Sequence, residues 1–502
     1  MRKILLVGIS TFALGAGAMA YANQQVRAPK AETYKMLELF GDVLATVEQQ
    51  YVVPVDDKKL IQAAIDGMLT SLDPHSGYLD PDGFDDMRDQ TRGEYGGLGL
   101  VVTAEDGAVK VVSPMDGTPA GRAGILAGDY ITAIDGQSIV GGALNDAVKQ
   151  MRGAVGTAIT LTVAREKQTP FSVKLNREVI EVKSVTSKVE GDSGYIRISG
   201  FDEKTGQETV AAIKVLRTKL PNMKGMVLDL RNNPGGLVDS AVEVASAFLD
   251  GGEVVSQRGR EARDIQRYNA KNSGDLLRGV PIVVIINNGS ASASEIVAGA
   301  LKDRQRATVI GLTSFGKGSV QTVIPLRGGV DGALKLTTAR YFTPSGSSIQ
   351  KTGILPDLEV ARSKEEAQVA ADATLQFSEA SFKNALDAEA GKIRKAAHQP
   401  AEIPPENYDV KKDDFQLERA LDVLKAGSVQ AAIAMKPAKT FAQVSRFAAA
   451  PVGPGEAKTE VGGPAPAQSG PVPVAPSKVA PADEIAPSKP APAPGASPPA
   501  KK

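Results

Sequence analysis

The chain has 502 residues, no cysteine, two histidines, and 58 basic residues against 58 acidic ones. Disulfides, thiolate nucleophiles and cysteine-ligated metals are therefore excluded, and a formal net charge of zero offers no electrostatic footprint for nucleic acid. The length exceeds what one hydrophobic core usually serves, so several folded units with tails are expected.

Arg2 and Lys3 precede an apolar run over residues 4–20, which ends in the small residues Ala18, Ala20 and Ala22. This is a secretory signal in outline, spanning residues 1–22, either cleaved or kept as a single tether. The protein is accordingly expected to be exported, periplasmic or envelope-associated. Residues 30–92 form an N-terminal helical region, with Met36, Leu37, Phe40, Val43, Leu44 and Val47 at helical spacing and a second run at Leu60, Ile61, Ala64, Ile65 and Met68. The helical pattern stops at Asp73-Pro74, because proline restrains the residue before it.

Residues 93–167 change to short strands and glycine turns around one helical stretch at 143–151, the pattern of a small β-rich module. Across 168–363, apolar strands alternate with amphipathic helices, as in 225–230, 238–249, 280–286 and 292–301. That alternation predicts a layered α/β core with crossover helices. Residues 364–448 return to helical spacing, with Phe415, Leu417, Leu421 and Leu424 on one face. Residues 449–502 are Pro, Ala, Gly and Ser with scattered charges, too poor in apolar surface to offset ordering, and are expected to be disordered. The fold class is thus α/β multidomain, a layered core with an inserted β-rich module and helical regions at both ends.

The chemistry concentrates in two segments. In VPIVVIINNGSASASEIVAGAL, residues 280–301, an apolar strand enters an Asn-Asn-Gly turn and a helix begins near Ser292. A serine there sits where unpaired amides and the helix dipole favour a developing oxyanion, and the Ala293 N–H is a natural donor to it. Serines at helix starts are also ordinary caps, so this segment alone does not define an enzyme. The second segment, SFGKGSVQ at 314–321, sets Lys317 between glycines in a tight turn before a strand. With histidine nearly absent, a lysine whose pKa is lowered by desolvation can serve as the base for a serine hydroxyl. Gln321 lies four residues on; in a strand that spacing shares a face, so Gln321 is placed to orient the lysine amine. A rival pairing, Ser314 with Lys317 as S-x-x-K, needs a helical turn that Gly316 and Gly318 disfavour. The DLRNNPGG stretch, 229–236, ends in glycines able to aim an amide at substrate, although Pro-Gly turns after strands are common without such a role. His75, in LDPHSGYL, is expected to be structural.

Together GSASASE, SFGKGSVQ and LRNNPGG resemble the C-terminal processing peptidases, also called tail-specific proteases. The resemblance implies a Ser/Lys peptidase with Ser292 as nucleophile, Lys317 as base and Gln321 completing the triad. It also implies that Gly235 or Gly236 joins Ala293 in the oxyanion hole. YGGLGL at 95–100 and PAGRAGILAGDYITAIDGQ at 119–137 resemble a PDZ domain. On that likeness the amides of Gly97, Leu98, Gly99 and Leu100 hold a terminal carboxylate, and the bound peptide adds as a strand.

These readings lead to an exported serine endopeptidase acting on polypeptides with free C-termini, without a metal or organic cofactor. The resemblance admits an activating adaptor protein and a homo-oligomer. One alternative is a catalytically inert PDZ scaffold, whose mark would be loss of Ser292, Lys317 or Gln321; all three are present. Another is an acyl-transfer enzyme acting on thioesters, which would have no use for a module that grips chain ends.

Overall fold

Ile282–Ile286 reads Ile-Val-Val-Ile-Ile, and all five side chains are buried. Such an unbroken apolar run suits a strand covered on both faces, as parallel sheets require. In the computed structural model it lies inside a six-stranded sheet ordered Val185–Glu190, Ser193–Ile198, Gly225–Asp229, Ile282–Ile286, Thr308–Gly311, Leu358–Glu359. The first pair is antiparallel and every later pair parallel. The structure describes residues 31–435, apart from 106, 262, 272–273, 373–376 and 389–395. The signal sequence expected at 1–22 and the tail expected at 449–502 lie outside the described residues.

Alternate residues of the sheet supply two separate cores. Ile196, Ile198, Met226, Leu228, Ile282, Val284 and Ile286 face one way, with side chains of the helices Thr205–Lys219, Val238–Ser246 and Ala293–Asp303. Tyr195, Val227, Val283, Ile285 and Ile310 face the other way, against Phe415, Leu417, Ala420, Val423 and Leu424 of the helix Phe415–Ala426. That last helix is also fastened electrostatically. Arg231, at the start of the LRNN loop, binds Asp229 and reaches across to Asp414 at 2.6 Å and Gln416 at 3.0 Å. The region expected to be helical from 364 to 448 is so only in part: Lys364–Ala371, Phe415–Ala426 and Val429–Met435 are helices, whereas most of the described residues between 372 and 414 are irregular.

A second sheet leans on the first. Its long strand, Ala333–Phe342, pairs with Glu253–Arg258, with Ser319–Pro325 and with the short strand Gly77–Leu79, and Ile265–Asn269 lies beyond Glu253–Arg258. The N-terminal region is therefore not purely helical; after the helices Ala31–Gln50 and Asp57–Thr70 it contributes a strand to the body before the helix Pro81–Arg92. The helix Ala31–Gln50 has no buried residue, and Tyr34, Met36, Leu37, Leu39, Phe40 and Val43 are all exposed on it. Among the described residues, no helix is long and apolar enough to cross a membrane.

The β-rich module is a sheet ordered Leu100–Glu105, Ala108–Pro114, Tyr130–Ile134, Ala158–Ala164, Phe171–Asn176, covered by the helix Leu144–Met151 around its own apolar cluster. It continues past residue 167, which falls inside the hairpin of the last two strands. A two-stranded ribbon, Glu94–Gly97 with Glu178–Glu181, closes its entry and exit. Among the described residues, Leu100–Glu105 is an edge strand, paired on one side only.

The Arg231 fastening generates a stability prediction. Burial alone would raise the Asp414 carboxyl, but the Arg231 guanidinium outweighs it and holds the group below its ordinary value of 3.8. A carboxyl with a depressed folded pKa contributes stability above its unfolded pKa and loses it as pH falls through the folded one. Asp414→Ala should lower unfolding stability by about 2 kcal/mol at neutral pH. The deficit relative to wild type should shrink on acidification below 3.8, as read by denaturant titration across pH.

Candidate active site

The turn after Ile282–Ile286 is built by asparagines and serines that reach across to the LRNN loop. Asn287 Oδ1 accepts from the Asn232 N–H at 2.9 Å, and Asn287 Nδ2 donates to Asn232 Oδ1 at 2.8 Å. Ser290 Oγ donates to the Leu230 carbonyl at 2.8 Å, and Ser294 Oγ to the Asn233 carbonyl at 2.9 Å. Both flanking serines are thus fasteners. The middle serine, Ser292, stands at φ 54° and ψ −113°, a conformation that costs a non-glycine residue energy and that surrounding bonds must enforce. Immediately after it the helix Ala293–Asp303 begins, so the Ala293 N–H has no acceptor within the helix.

Enforcement comes from Glu295, wholly buried at 1% exposure. Its Oε2 accepts from the Ser292 N–H at 2.9 Å and from the Lys317 N–H at 2.9 Å. Its Oε1 accepts from the Gly316 N–H at 2.7 Å and from Ser314 Oγ at 2.5 Å. One carboxylate therefore holds the turn bearing Ser292 against the turn bearing Lys317. Burial raises the Glu295 carboxyl above its ordinary range, opposed by the donors from Ser314, Gly316, Ser292 and Lys317. Sequence reasoning did not single out Glu295; the signal available was a charge followed at once by Ile296 and Val297 on a helix destined for the core.

The turn carrying Lys317 is pinned on its other sides too. Gly316 is at φ 95°, its carbonyl accepts from the Lys351 N–H at 2.9 Å, and the Gly318 carbonyl accepts from the Tyr341 N–H at 2.7 Å. Lys317 itself is partly buried. Desolvation, with the Lys335 charge, pushes its amine down to about 8, while Glu379, Glu295 and Asp73 oppose the shift. The rival nucleophile Ser314 is fully buried, donating to Glu295 and accepting from the Ile354 N–H at 2.6 Å, so it has no approach to substrate.

Gln321 departs from the strand argument that placed it. The strand starts at Ser319, beyond Lys317, and its register shifts between Val320 and Gln321, so simple alternation from Lys317 does not apply. Gln321 Nε2 donates to Ser319 Oγ at 3.0 Å and to Thr337 Oγ1 at 3.2 Å.

The two glycines of the LRNNPGG loop are not equivalent. Gly235 lies against the nucleophile turn: a Cβ there would fall 2.8 Å from both the Ala291 carbonyl oxygen and Ser292 Cβ. Its N–H is taken by Asn233 Oδ1 at 2.9 Å. Gly236 forms a parallel bridge with Phe201, in which Phe201 bonds the Gly235 carbonyl and the Leu237 N–H. In that geometry the Gly236 N–H points away from Phe201, and it has no acceptor among the described residues.

In the β-rich module, Leu98 is buried in the apolar cluster and Gly99 is at φ 75°. The carbonyls of Leu98 and Gly99 accept from the N–H groups of Ala120 and Met115 at 3.0 and 2.8 Å. Their own N–H groups have no acceptor among the described residues. Gly97 ends the ribbon strand and Leu100 begins the edge strand, so the four residues join the two.

Comparison with known proteins bears on these features. Residues 192–360 match the model of peptidase family S41, residues 110–165 that of a PDZ domain, and residues 11–83 that of the activating protease CtpB N-terminal domain. A carboxy-terminal-processing protease of Bartonella bacilliformis is 50% identical over 446 residues, covering 88% of this chain and 100% of that protein. A probable CtpA-like serine protease of Staphylococcus aureus is 39% identical over 348 residues, 68% of each chain. The solved photosystem II D1 C-terminal processing protease is 30% identical and covers 66% of this chain and 93% of its own, at a TM-score of 0.39. The chain belongs to the carboxy-terminal-processing proteases of peptidase family S41 and is a serine peptidase with an embedded PDZ domain that recognises polypeptide C-termini.

Proposed function

We propose that Ser292 is the nucleophile and Lys317 the general base. The observation that carries this reading is the bridge by Glu295 Oε2, which bonds the backbone amides of both residues and so holds the turn with a serine at a helix N-terminus against the turn whose lysine amine has a lowered pKa. The neutral Lys317 amine takes the Ser292 hydroxyl proton as Oγ bonds the scissile carbonyl carbon. The oxyanion is received by the N–H groups of Ala293 and Gly236; Gly236 is preferred to Gly235, whose amide is already committed to Asn233. Lys317 then gives the proton to the departing amine, the acyl-enzyme forms, and a water activated by the same lysine releases the new C-terminus. Gln321, with its amide nitrogen engaged by Ser319 and Thr337, has its carbonyl oxygen to accept from the lysine amine.

The substrate's free C-terminus is held by the amides of the Gly97–Leu98–Gly99–Leu100 turn, and its last residues pair with the open edge of Leu100–Glu105. The protein is exported, as the basic and apolar start of the sequence indicates. It works as a homo-oligomer through the helix Ala31–Gln50, on which Tyr34, Leu37, Leu39, Phe40 and Val43 are all exposed and would be covered by a second copy. An activating adaptor protein is compatible with this arrangement.

Four outcomes test the reading. Ser292→Ala and Lys317→Ala should each cut peptidase turnover by roughly three orders of magnitude or more while leaving binding of a C-terminal peptide intact. In the wild type the rate should rise with pH through about 8 and then level, since only the neutral amine accepts a proton. Full activity of either variant, or a flat profile from pH 6 to 10, would refute it. Gly99→Val, whose Cβ would meet Thr118 at 2.3 Å, should raise KM for a protein substrate about tenfold without slowing acylation of Ser292 by a small fluorophosphonate. An unchanged KM would remove the turn from substrate recognition. Leu37→Glu with Phe40→Glu should convert the wild-type oligomer to a monomer in light scattering, and a wild type already monomeric at micromolar concentration would contradict the assignment of that helix.

A further inference from the structure

Segments from opposite ends of the described chain close over the turn that carries Lys317. Beyond the helix Asp57–Thr70, the run Asp73-Pro74-His75-Ser76 folds around its own carboxylate. Asp73 Oδ1 accepts from the N–H groups of His75 and Ser76 at 2.8 and 2.9 Å, and Oδ2 accepts from Ser76 Oγ at 2.7 Å. This presents His75 Nε2 to Glu379 Oε2 at 2.7 Å. Glu379 opens the short helical turn Glu379–Ser381 and is completely buried. Its Oε1 accepts from Gln350 Nε2 at 2.8 Å, and Gln350 Oε1 accepts from the N–H of Gly318, the residue after Lys317, at 2.8 Å. The Glu379 N–H donates to the carbonyl of Phe315, two residues before Lys317, at 3.1 Å. Glu379 thus grips the base turn on both sides.

A glutamine at position 379 could hold Gln350 as well. What only a carboxylate adds is charge, and a buried carboxylate is costly unless that charge is used. The charged groups that face the Lys317 amine are Lys335, Glu379, Glu295 and Asp73. Glu295 has four donors bound to its two oxygens, whereas Glu379 is bonded by one histidine and one glutamine. The His75 segment touches the other side of the site as well: Asp73 Oδ1 accepts from Thr337 Oγ1 at 3.0 Å, and Thr337 Oγ1 accepts from Gln321.

We infer that Glu379, clasped by His75, is a positioning residue of the proteolytic site, fixing the turn around Lys317 through Gln350 and Phe315 and supplying negative charge that faces the lysine amine. His75 orients that carboxylate and carries the N-terminal segment into contact with the site. The inference rests on Lys317 being the base.

The test uses the full chain and the acid limb of the kcat–pH profile on a peptide substrate. Glu379→Gln keeps the shape and the Gln350 bond but removes the charge that favours the protonated lysine, so the limb should move to lower pH by roughly half a unit or more, with KM unchanged. His75→Ala removes the partner that holds the carboxylate in place, so the limb should leave its wild-type position. A purely structural role would lower the melting temperature and leave the limb in place. Folded Glu379→Gln with the wild-type limb overturns the inference; should that variant fail to fold, His75→Ala with the wild-type limb overturns it. Lys317→Ala is the control. If it retains turnover, the reading of Lys317 as base fails; if it is inactive and the limb still does not move, the inference about Glu379 alone fails.

Discussion

The structure around Ser292 depends on one buried carboxylate. Glu295 is cut off from water, so its oxygens must be satisfied by protein donors, and the donors within reach are the Ser314 hydroxyl and backbone amides of two turns distant in sequence. Satisfying the acid and joining the turns are the same event. A cation in its place would repel those amides, and an apolar side chain would leave them unpaired in the interior. The unfavourable φ of Ser292 is tolerated because this bond, with those of Ser290 and Ser294, over-determines the turn.

The two turns belong to different sheets. Ser292 follows a central strand of the six-stranded sheet, whereas Lys317 leads into the strand that pairs with Ala333–Phe342. The geometry of the pair is therefore set by how the sheets pack as much as by either loop. The connection between the two turns is accordingly polar and specific: Glu295 bonds both, while Asn232 with Asn287 braces the first and Gln350 with Gly318 the second. Apolar packing alone tolerates small slides, while paired amides and carboxylates permit one register.

Much of this was legible in the sequence, for reasons that can be named. Ile282–Ile286 declares itself as a buried parallel strand because it has no polar face, and the break to Asn-Asn-Gly-Ser marks where a helix must start. Glycines on both sides of Lys317 declare a turn. What could not be read were partners chosen by tertiary packing. Nothing local links His75 to Glu379, 304 positions away, or assigns the Gly235 amide to Asn233 rather than to a substrate. The placement of Gln321 rested on strand alternation, which a register shift at Val320 interrupts, and such shifts have no reliable local signal here. The strand Gly77–Leu79 was hidden for a similar reason: three residues are too few for a period to show.

The backbone conformation of Ser292 also restricts which amino acid can be the nucleophile. Threonine carries an equivalent hydroxyl, but its branched Cβ is poorly accommodated at φ 54°. Cysteine would fit the backbone, yet a thiol needs little help from an amine base to ionise. Serine is then selected twice over, sterically by the main chain and chemically by the lysine, and a search for alternative nucleophiles on this scaffold would first have to relax the main chain.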